Sequence, residues 1–362
     1  MKRIFTLISL LLALTFSACA QQGVHKSAAT RHYVIGFYNL ENLFDIYDDP
    51  AKNDQEYLPD GANQWTEVKY NKKLHNMATV IRAMHDDNGR WHTILGVSEI
   101  ENRLVLEDLI AQPEIEAANY QIIHYDGPDR RGVDVALLYK PEQFTYIASE
   151  SLPFNFENTR VKISLTPAEQ DYFRTRDILM VRGTIDGEMF AFFVTHTPSR
   201  VGGKGGDLRS RCAEIIYNRA RELEAEFPGI KIVVMGDMND DPFNESMALW
   251  LHGRETLEEM KEEDFFNPYY RMLKDGYGTL CYQGVWSIFD QELVNYNLAK
   301  APNGGLKIIP IVKGKYYGRV FKKSFMTTQK GQYKGYPFRT FSNGAFINGY
   351  SDHYPTYIII SK

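Results

Sequence analysis

Cysteine is scarce in this chain. Three thiols in 362 residues, at Cys19, Cys212 and Cys281, cannot build a disulfide framework or a thiolate zinc centre. No Walker or dinucleotide glycine pattern is present. The one glycine-rich run, Gly202-Gly203-Lys204-Gly205-Gly206, reads either as a rim loop or as a phosphate contact ahead of a helix. A large charge of one sign is also missing: 41 basic residues stand against 46 acidic ones, a formal net charge of −5. Any attraction for a polyanion must therefore be local. Beyond the amino terminus no apolar run is long enough to span a bilayer, and neither a repeat nor a linker stands out.

The amino terminus carries the one hydrophobic segment of note. Lys2 and Arg3 precede the run Ile4 to Phe16, which is the order of a secretory signal. Phe16-Ser17-Ala18-Cys19 fits a bacterial lipobox, and Ala18-Cys19-Ala20 also fits a small-x-small cleavage site; the lipoprotein is the favoured reading. Residues 1–20 are then the signal, with Cys19 as the lipid anchor, and 31–362 a single domain. The expected location is the periplasm or the outer membrane, with secretion as the alternative. Cys212 falls in a helical stretch from Leu208 to Phe227 and Cys281 in a strand, so two separate buried thiols are expected.

Five apolar runs each deliver polar groups at one end. Ile232 to Met235 leads into Gly236-Asp237-Met238-Asn239; Tyr33 to Phe37 leads into Tyr38-Asn39-Leu40-Glu41-Asn42; Thr93 to Val97 leads into Ser98-Glu99-Ile100-Glu101-Asn102. Phe190 to Val194 precedes Thr195-His196-Thr197-Pro198-Ser199-Arg200, and Ser351-Asp352-His353 precedes Tyr357 to Ile360. Each run reads as a buried strand, and groups just past strand ends are where α/β folds place their sites. A strand followed by an Asx turn explains any one of them. Together they point to one site.

In number, order and spacing these motifs resemble the endonuclease/exonuclease/phosphatase superfamily, the DNase I-like fold, from about Tyr33 to Ile360. The resemblance implies a four-layered α/β sandwich, with two packed, mostly antiparallel sheets flanked by helices. It also implies divalent-metal-dependent hydrolysis of phosphate esters. By the same resemblance Glu99 is the principal metal ligand, helped by Asn39 and by Glu41, a position the family pattern does not fix. Asp352 completes the metal end. Asp237 orients the attacking water, Asn239 binds the scissile phosphate, and His353, oriented by Asp290, contacts the phosphate and takes or shares a proton. His196 matches a second histidine of many members. Arg131, Asp134, Arg176, Ser199 and Arg200 are candidates for substrate contact; for Arg131 and Asp134 a salt-bridged loop is an equal reading.

The residue types suit that chemistry on their own. Hard cations such as Mg²⁺, with Mn²⁺ or Ca²⁺ as alternatives, prefer carboxylate and amide oxygens. Phosphoryl transfer asks chiefly for positioning and charge neutralisation, so in-line attack by water needs no covalent nucleophile.

From Lys307 to Tyr350 nine basic residues occur without an acid, interleaved with eight tyrosines and phenylalanines up to Phe341. Such a stretch suits an extended anion with stackable bases, or it solvates a hairpin whose aromatics face the core. The sequence reading is thus an exported metal-dependent phosphodiesterase, a nuclease first, acting on nucleic acid, tethered to the membrane by lipid only, with no obligate protein partner. A phosphatase or lipid phosphodiesterase of the inositol phosphate or sphingomyelin type is the alternative, and a non-catalytic binding protein a more distant one.

Overall fold

Period-two alternation of apolar side chains builds this protein around three layers of core. The computed structural model describes residues 31–203, 205–311 and 315–362. The segment expected to be a signal, Cys19, Lys204 and Lys313 lie outside the described residues. In chain order the first elements are β1 (His32–Leu43), α1 (Glu67–Asn88), β2 (Ile94–Ile100), α2 (Arg103–Ile110), β3 (Gln121–His124) and β4 (Asp134–Tyr139). β5 (Phe144–Leu152), α3 (Pro167–Tyr172), β6 (Ile178–Ile185), β7 (Glu188–His196), α4 (Gly206–Glu226) and β8 (Lys231–Asp237) follow. Next come β9 (Gly253–Arg254), β10 (Phe265–Phe266), α5 (Tyr270–Lys274), β11 (Leu280–Tyr282), β12 (Val285–Ser287) and β13 (Asp290–Asn295). The chain ends with α6 (Tyr296–Ala299), β14 (Lys307–Ile309), β15 (Gly318–Val320), β16 (Phe341–Ser342), β17 (Ala345–Phe346) and β18 (Thr356–Ser361).

One mixed sheet runs β14-β18-β1-β2-β4-β3, with β15 also on β18, and the other runs β5-β6-β7-β8-β13-β10-β9. β1 and β2 are parallel, as are β7 and β8, while most other neighbours are antiparallel. Along β1, Tyr33, Ile35 and Phe37 face the layer between the sheets, where they meet Phe192, Val233 and Met235. Val34 and Tyr38 face outward onto α1 and α2 through Leu74, Met77, Ile81 and Leu106. On the second sheet Ala191, Phe193, Ile232 and Val234 face α4 through Ile216, Ala220 and Leu223. Helix, sheet, sheet and helix thus form the expected four layers.

The acidic segment from Leu257 to Asp264 forms turns. There Thr256 Oγ1 and Asp264 Oδ2 accept the backbone N–H groups of Glu259 and Lys261 at 3.3 and 2.9 Å, displacing a helical ladder. Cys212 is buried and unpaired as expected, but Cys281 is only half-buried, also unpaired.

Gly236 is where the two central strands of the second sheet touch. A Cβ there would lie 2.0 Å from the Thr195 carbonyl oxygen of β7, a clash that backbone cannot relieve cheaply. Gly236→Ala is expected to cost about 3 kcal/mol or more, seen as a lower denaturation midpoint at unchanged m-value.

Glu292 is wholly buried between the sheets, where it accepts hydrogen bonds from Tyr269 Oη and, at 2.9 Å, Thr356 Oγ1. Burial pushes its carboxyl up to about 8. With the folded value above the unfolded one, the folded state holds the extra proton, so this group lowers stability as pH rises from about 4.3 towards 8. Glu292→Gln should make that pH slope shallower in urea melts; an unchanged slope would show that Glu292 ionises freely.

Candidate active site

Strand register assembles the second sheet's share of the site. His196 pairs with Asp237 across parallel β7 and β8, and Asp237 pairs with Asp290 across antiparallel β8 and β13. Directly opposed residues project to the same face, so these three form one row. The row continues the inward faces of its strands, which carry Val194, Val233, Met235 and Val294. The site is therefore the polar mouth of the central core.

The first sheet contributes through irregular backbone. Asn39 continues the inward set of β1, but regular alternation would turn Glu99 away. The β2–β4 ladder passes from Ser98–Val135 to Ile100–Asp134, leaving Glu99 as the extra residue of a bulge. Its φ of 58° is left-handed. Bulges re-aim side chains beside active sites, and this one brings the Glu99 carboxylate into the mouth. Glu41, Asn42 and Asn239 also have positive φ, at 46°, 51° and 46°, so strained backbone clusters here.

The side chains form one connected network. The Asn39 amide nitrogen donates to Glu99 Oε1 at 3.2 Å and Asp237 Oδ2 at 3.1 Å, while its oxygen accepts the Glu41 N–H at 2.8 Å. Glu99 Oε2 accepts the Asn42 N–H at 3.0 Å. His196 Nε2 lies 3.8 Å from Glu99 Oε1 and 3.6 Å from Asp237 Oδ2. His353 Nδ1 bonds Asp290 Oδ2 at 2.7 Å, and its Nε2 lies 3.8 Å from Asp237 Oδ2. Ser351 Oγ ties the loop down by donating to the Asn39 carbonyl at 2.7 Å and accepting the His353 N–H at 3.1 Å.

Electrostatics separates the two histidines. Burial, with Arg176 and Arg131 nearby, holds His196 well below the usual imidazole range, so it is neutral. Burial alone would lower His353 as well, but the Asp290 and Asp237 carboxylates raise it well above that range, so it is an imidazolium at neutral pH. Burial pushes the Asp237 carboxyl up, against the pull of His353.

Among the described residues no lysine or arginine pairs with Glu99 or Asp237. Glu99, His196 and Asp237 each aim one ligand atom to within 4.8 Å of the others. Among the same residues Glu99 has no cation beside it and Asp237 only the His353 imidazolium at 3.8 Å; carboxylates this close together are costly unless a metal or proton supplies the missing charge, so these residues fit a divalent ion. Glu99 and Asp237 would hold it through oxygen, with the His196 imidazole within reach. When bound, such an ion polarises a phosphoryl oxygen and lowers the pKa of a bound water.

The remaining expected site residues have the following partners. Asn39 turns its amide nitrogen to the carboxylates and its oxygen to the Glu41 N–H. Glu41 is engaged on both oxygens. It receives Arg339 Nε at 2.9 Å and Thr340 N–H at 2.7 Å, one on each oxygen, with Lys73 Nζ at 3.9 Å. Burial and Asp352 push Glu41 up to about 7. Asp352 pairs with Arg339 at 3.1 Å and stands at the rim. Asn239 donates to the Thr197 carbonyl at 3.0 Å, keeping its second amide hydrogen.

Arg176 clamps the end of β7 rather than a substrate: it donates to the carbonyls of His196 and Thr197 at 3.0 and 2.7 Å and pairs with Asp129 at 3.1 Å. Arg200 holds the turn after β8 through the Asn239 carbonyl at 2.7 Å and Asp240 at 2.9 Å. Asp134 is buried against Gly127 N–H and His124. Arg131 is half exposed, 3.8 Å from Asp129, and Ser199 is exposed with its carbonyl accepting from Arg209 at 3.2 Å. Sequence reasoning missed Arg339, which bridges Glu41 and Asp352, and Lys73, a buried ammonium that donates to Thr340 Oγ1 at 2.6 Å and the Tyr350 carbonyl at 2.7 Å. Nothing local marks either one.

Residues 34–362 match the model of the Endonuclease/Exonuclease/phosphatase family. The chain belongs to this family. Membership makes it an enzyme of phosphoester hydrolysis, in a family that depends on divalent metal. Solved structures of similar fold include an endonuclease/exonuclease/phosphatase family protein from Bacteroides thetaiotaomicron, with TM-score 0.54, 15% identity, and 92% of this chain and 98% of that one covered. A mannosyl-6-phosphatase from the same organism aligns with TM-score 0.53 at 15% identity, over 91% and 99% of the two chains. A conserved protein of unknown function from Enterococcus faecalis aligns with TM-score 0.52 at 14% identity, over 90% and 98%. At such identities the likeness is one of fold alone. No curated protein matches the chain.

Proposed function

We propose that this enzyme hydrolyses phosphodiesters by direct attack of water, with a divalent cation such as Mg²⁺ seated on Glu99 and Asp237. The observation that carries the reading is the convergence of Glu99, His196, Asp237 and the Asp290–His353 pair at one mouth, without a lysine or arginine partner for Glu99 or Asp237. In this reading Asp237 orients the water and takes its proton. The His353 imidazolium, held by Asp290, neutralises a phosphate oxygen, and the Asn239 amide hydrogen steadies the same phosphate. Arg339, paired with Glu41 and Asp352, places a guanidinium at the rim. Hydrolysis should vanish in excess chelator and return with Mg²⁺ or Mn²⁺; full activity in chelator would overturn the reading.

Nucleic acid is the proposed substrate class. Its support is narrower than the stretch from Lys307 to Tyr350 suggests. Lys315 pairs with Asp275 at 2.7 Å, and Arg319 and Lys323 pair with Asp87 at 2.7 and 2.5 Å. Lys322 sits over the Trp286 ring at 4.5 Å, and Tyr316 and Phe321 are buried. Lys330 and Lys334 stay exposed, with Phe325 and Tyr333 exposed on the same segment. That pairing favours a second reading, a small phosphoester or phosphomonoester.

A panel of DNA, RNA, phospholipid and sugar phosphates separates the two. Changing Lys330 and Lys334 together to Gln should flatten the salt dependence of polymer cleavage by up to about two charges' worth, with little effect on a chromogenic diester. An unchanged salt slope would leave the small ester as substrate.

We also propose export as a lipoprotein, supported by the basic start, the apolar run and Cys19. Mass spectrometry of the mature amino terminus tests it: a lipidated Cys19 is expected, and an unmodified later start would exclude it.

A further inference from the structure

A second set of ligating groups lies where the edges of the two sheets meet. His124 ends β3, Asp134 opens β4, and Asp177 immediately precedes β6. The His124 and Asp134 side chains are 3% and 4% exposed, with Nε2 and Oδ2 3.4 Å apart. His124 Nδ1 lies 3.9 Å from the exposed carboxylate of Asp126. One ligand atom from each of His124, Asp126 and Asp134 falls within 4.8 Å of the other two. The Gly127 N–H fixes Asp134 by donating to Oδ1 at 3.0 Å, which leaves Oδ2 to face the imidazole.

Asp177 supplies the independent sign. Its Oδ2 accepts Ser151 Oγ at 2.8 Å and the Phe154 backbone N–H lies against the carboxylate, while Oδ1 is closed off from solvent without a well-formed hydrogen bond. Asp134, Asp177, Ser151 and Tyr125 line a cavity of about 10 Å³, the size of one water or one ion. Among the described residues no lysine or arginine pairs with Asp126, Asp134 or Asp177. Burial, with Asp134 beside it, pushes Asp177 up. Three carboxylates and one imidazole with no basic partner make a site short of positive charge.

We propose that His124, Asp126 and Asp134 bind a divalent cation of the zinc class, with Asp177 across the cavity as a further or water-bridged ligand. One imidazole nitrogen with carboxylate oxygens, and no thiolate, suits Zn²⁺ better than Mg²⁺. The ion ties β3 and β4 of the first sheet to β6 of the second. Its binding therefore stabilises the fold rather than acting on substrate.

The experiment uses the full chain carrying Glu99→Gln and Asp237→Asn, which disables the first cluster. After chelator treatment and dialysis, Zn²⁺ is titrated calorimetrically and thermal unfolding is followed with and without Zn²⁺. One equivalent should bind and raise Tm, Co²⁺ should give visible d–d absorption, and Mg²⁺ should do neither. Adding His124→Ala should abolish binding. Asp126→Asn, at an exposed position that folding tolerates, should weaken it about tenfold or more. If no Zn²⁺ binds, or if binding and the Tm shift survive both Asp126→Asn and His124→Ala, the site does not exist as proposed and His124–Asp134 is a hydrogen-bonded pair only.

Discussion

Glu99→Gln is expected to lower kcat/KM by about 10²- to 10³-fold, with the loss partly recovered at high metal concentration. The substitution preserves size and leaves an oxygen to accept the Asn42 N–H, now made at 3.0 Å. What it removes is the charge of a carboxylate whose neighbours are a neutral imidazole and an amide. Metal affinity measured by titration should fall together with the rate. If the rate falls while affinity is unchanged, Glu99 acts on substrate and the cation seat must lie elsewhere.

Asp290→Asn is expected to cost about 10³-fold in kcat with a smaller change in metal affinity. Asp290 is fully buried, and its contact with His353 Nδ1 is 2.7 Å. Without that carboxylate, burial regains the upper hand and His353 loses much of its raised pKa. The sign follows directly. His353 has a folded pKa above its unfolded value, so the pair's stabilisation is complete below about pH 6.5 and is lost as pH rises through the folded value. In the variant, the alkaline limb of the kcat profile should move to lower pH. Combining Asp290→Asn with His353→Ala should cost little more than the larger single change, because the two act as a unit. Full additivity would mean that Asp290 serves something other than His353.

Much of this was legible because strands that are buried on both faces advertise themselves as continuous apolar runs. The runs ending at Asn39, His196 and Asp237 became β1, β7 and β8 with their polar ends at one mouth. Glu99 was legible as a residue but not as a direction, since the bulge that turns it inward depends on how β2 pairs with β4. Arg176 and Arg200 looked available to substrate because charge in a sequence carries no record of its partner; folding spends both on backbone carbonyls and aspartates. The basic stretch misleads in the same way, its cations meeting Asp87 and Asp275 from distant segments.

The sequence by itself determined the class of fold, the family and the residue types at the site, because alternation and strand-end motifs are local patterns that survive in one dimension. Only the tertiary structure decided which carboxylates remain without a lysine or arginine partner. Glu41 and Asp352 are claimed by Arg339, while Glu99 and Asp237 are left facing one another beside a neutral His196. That division depends on contacts between residues up to 298 positions apart, and long-range pairing is set by packing and register rather than by neighbours in the chain.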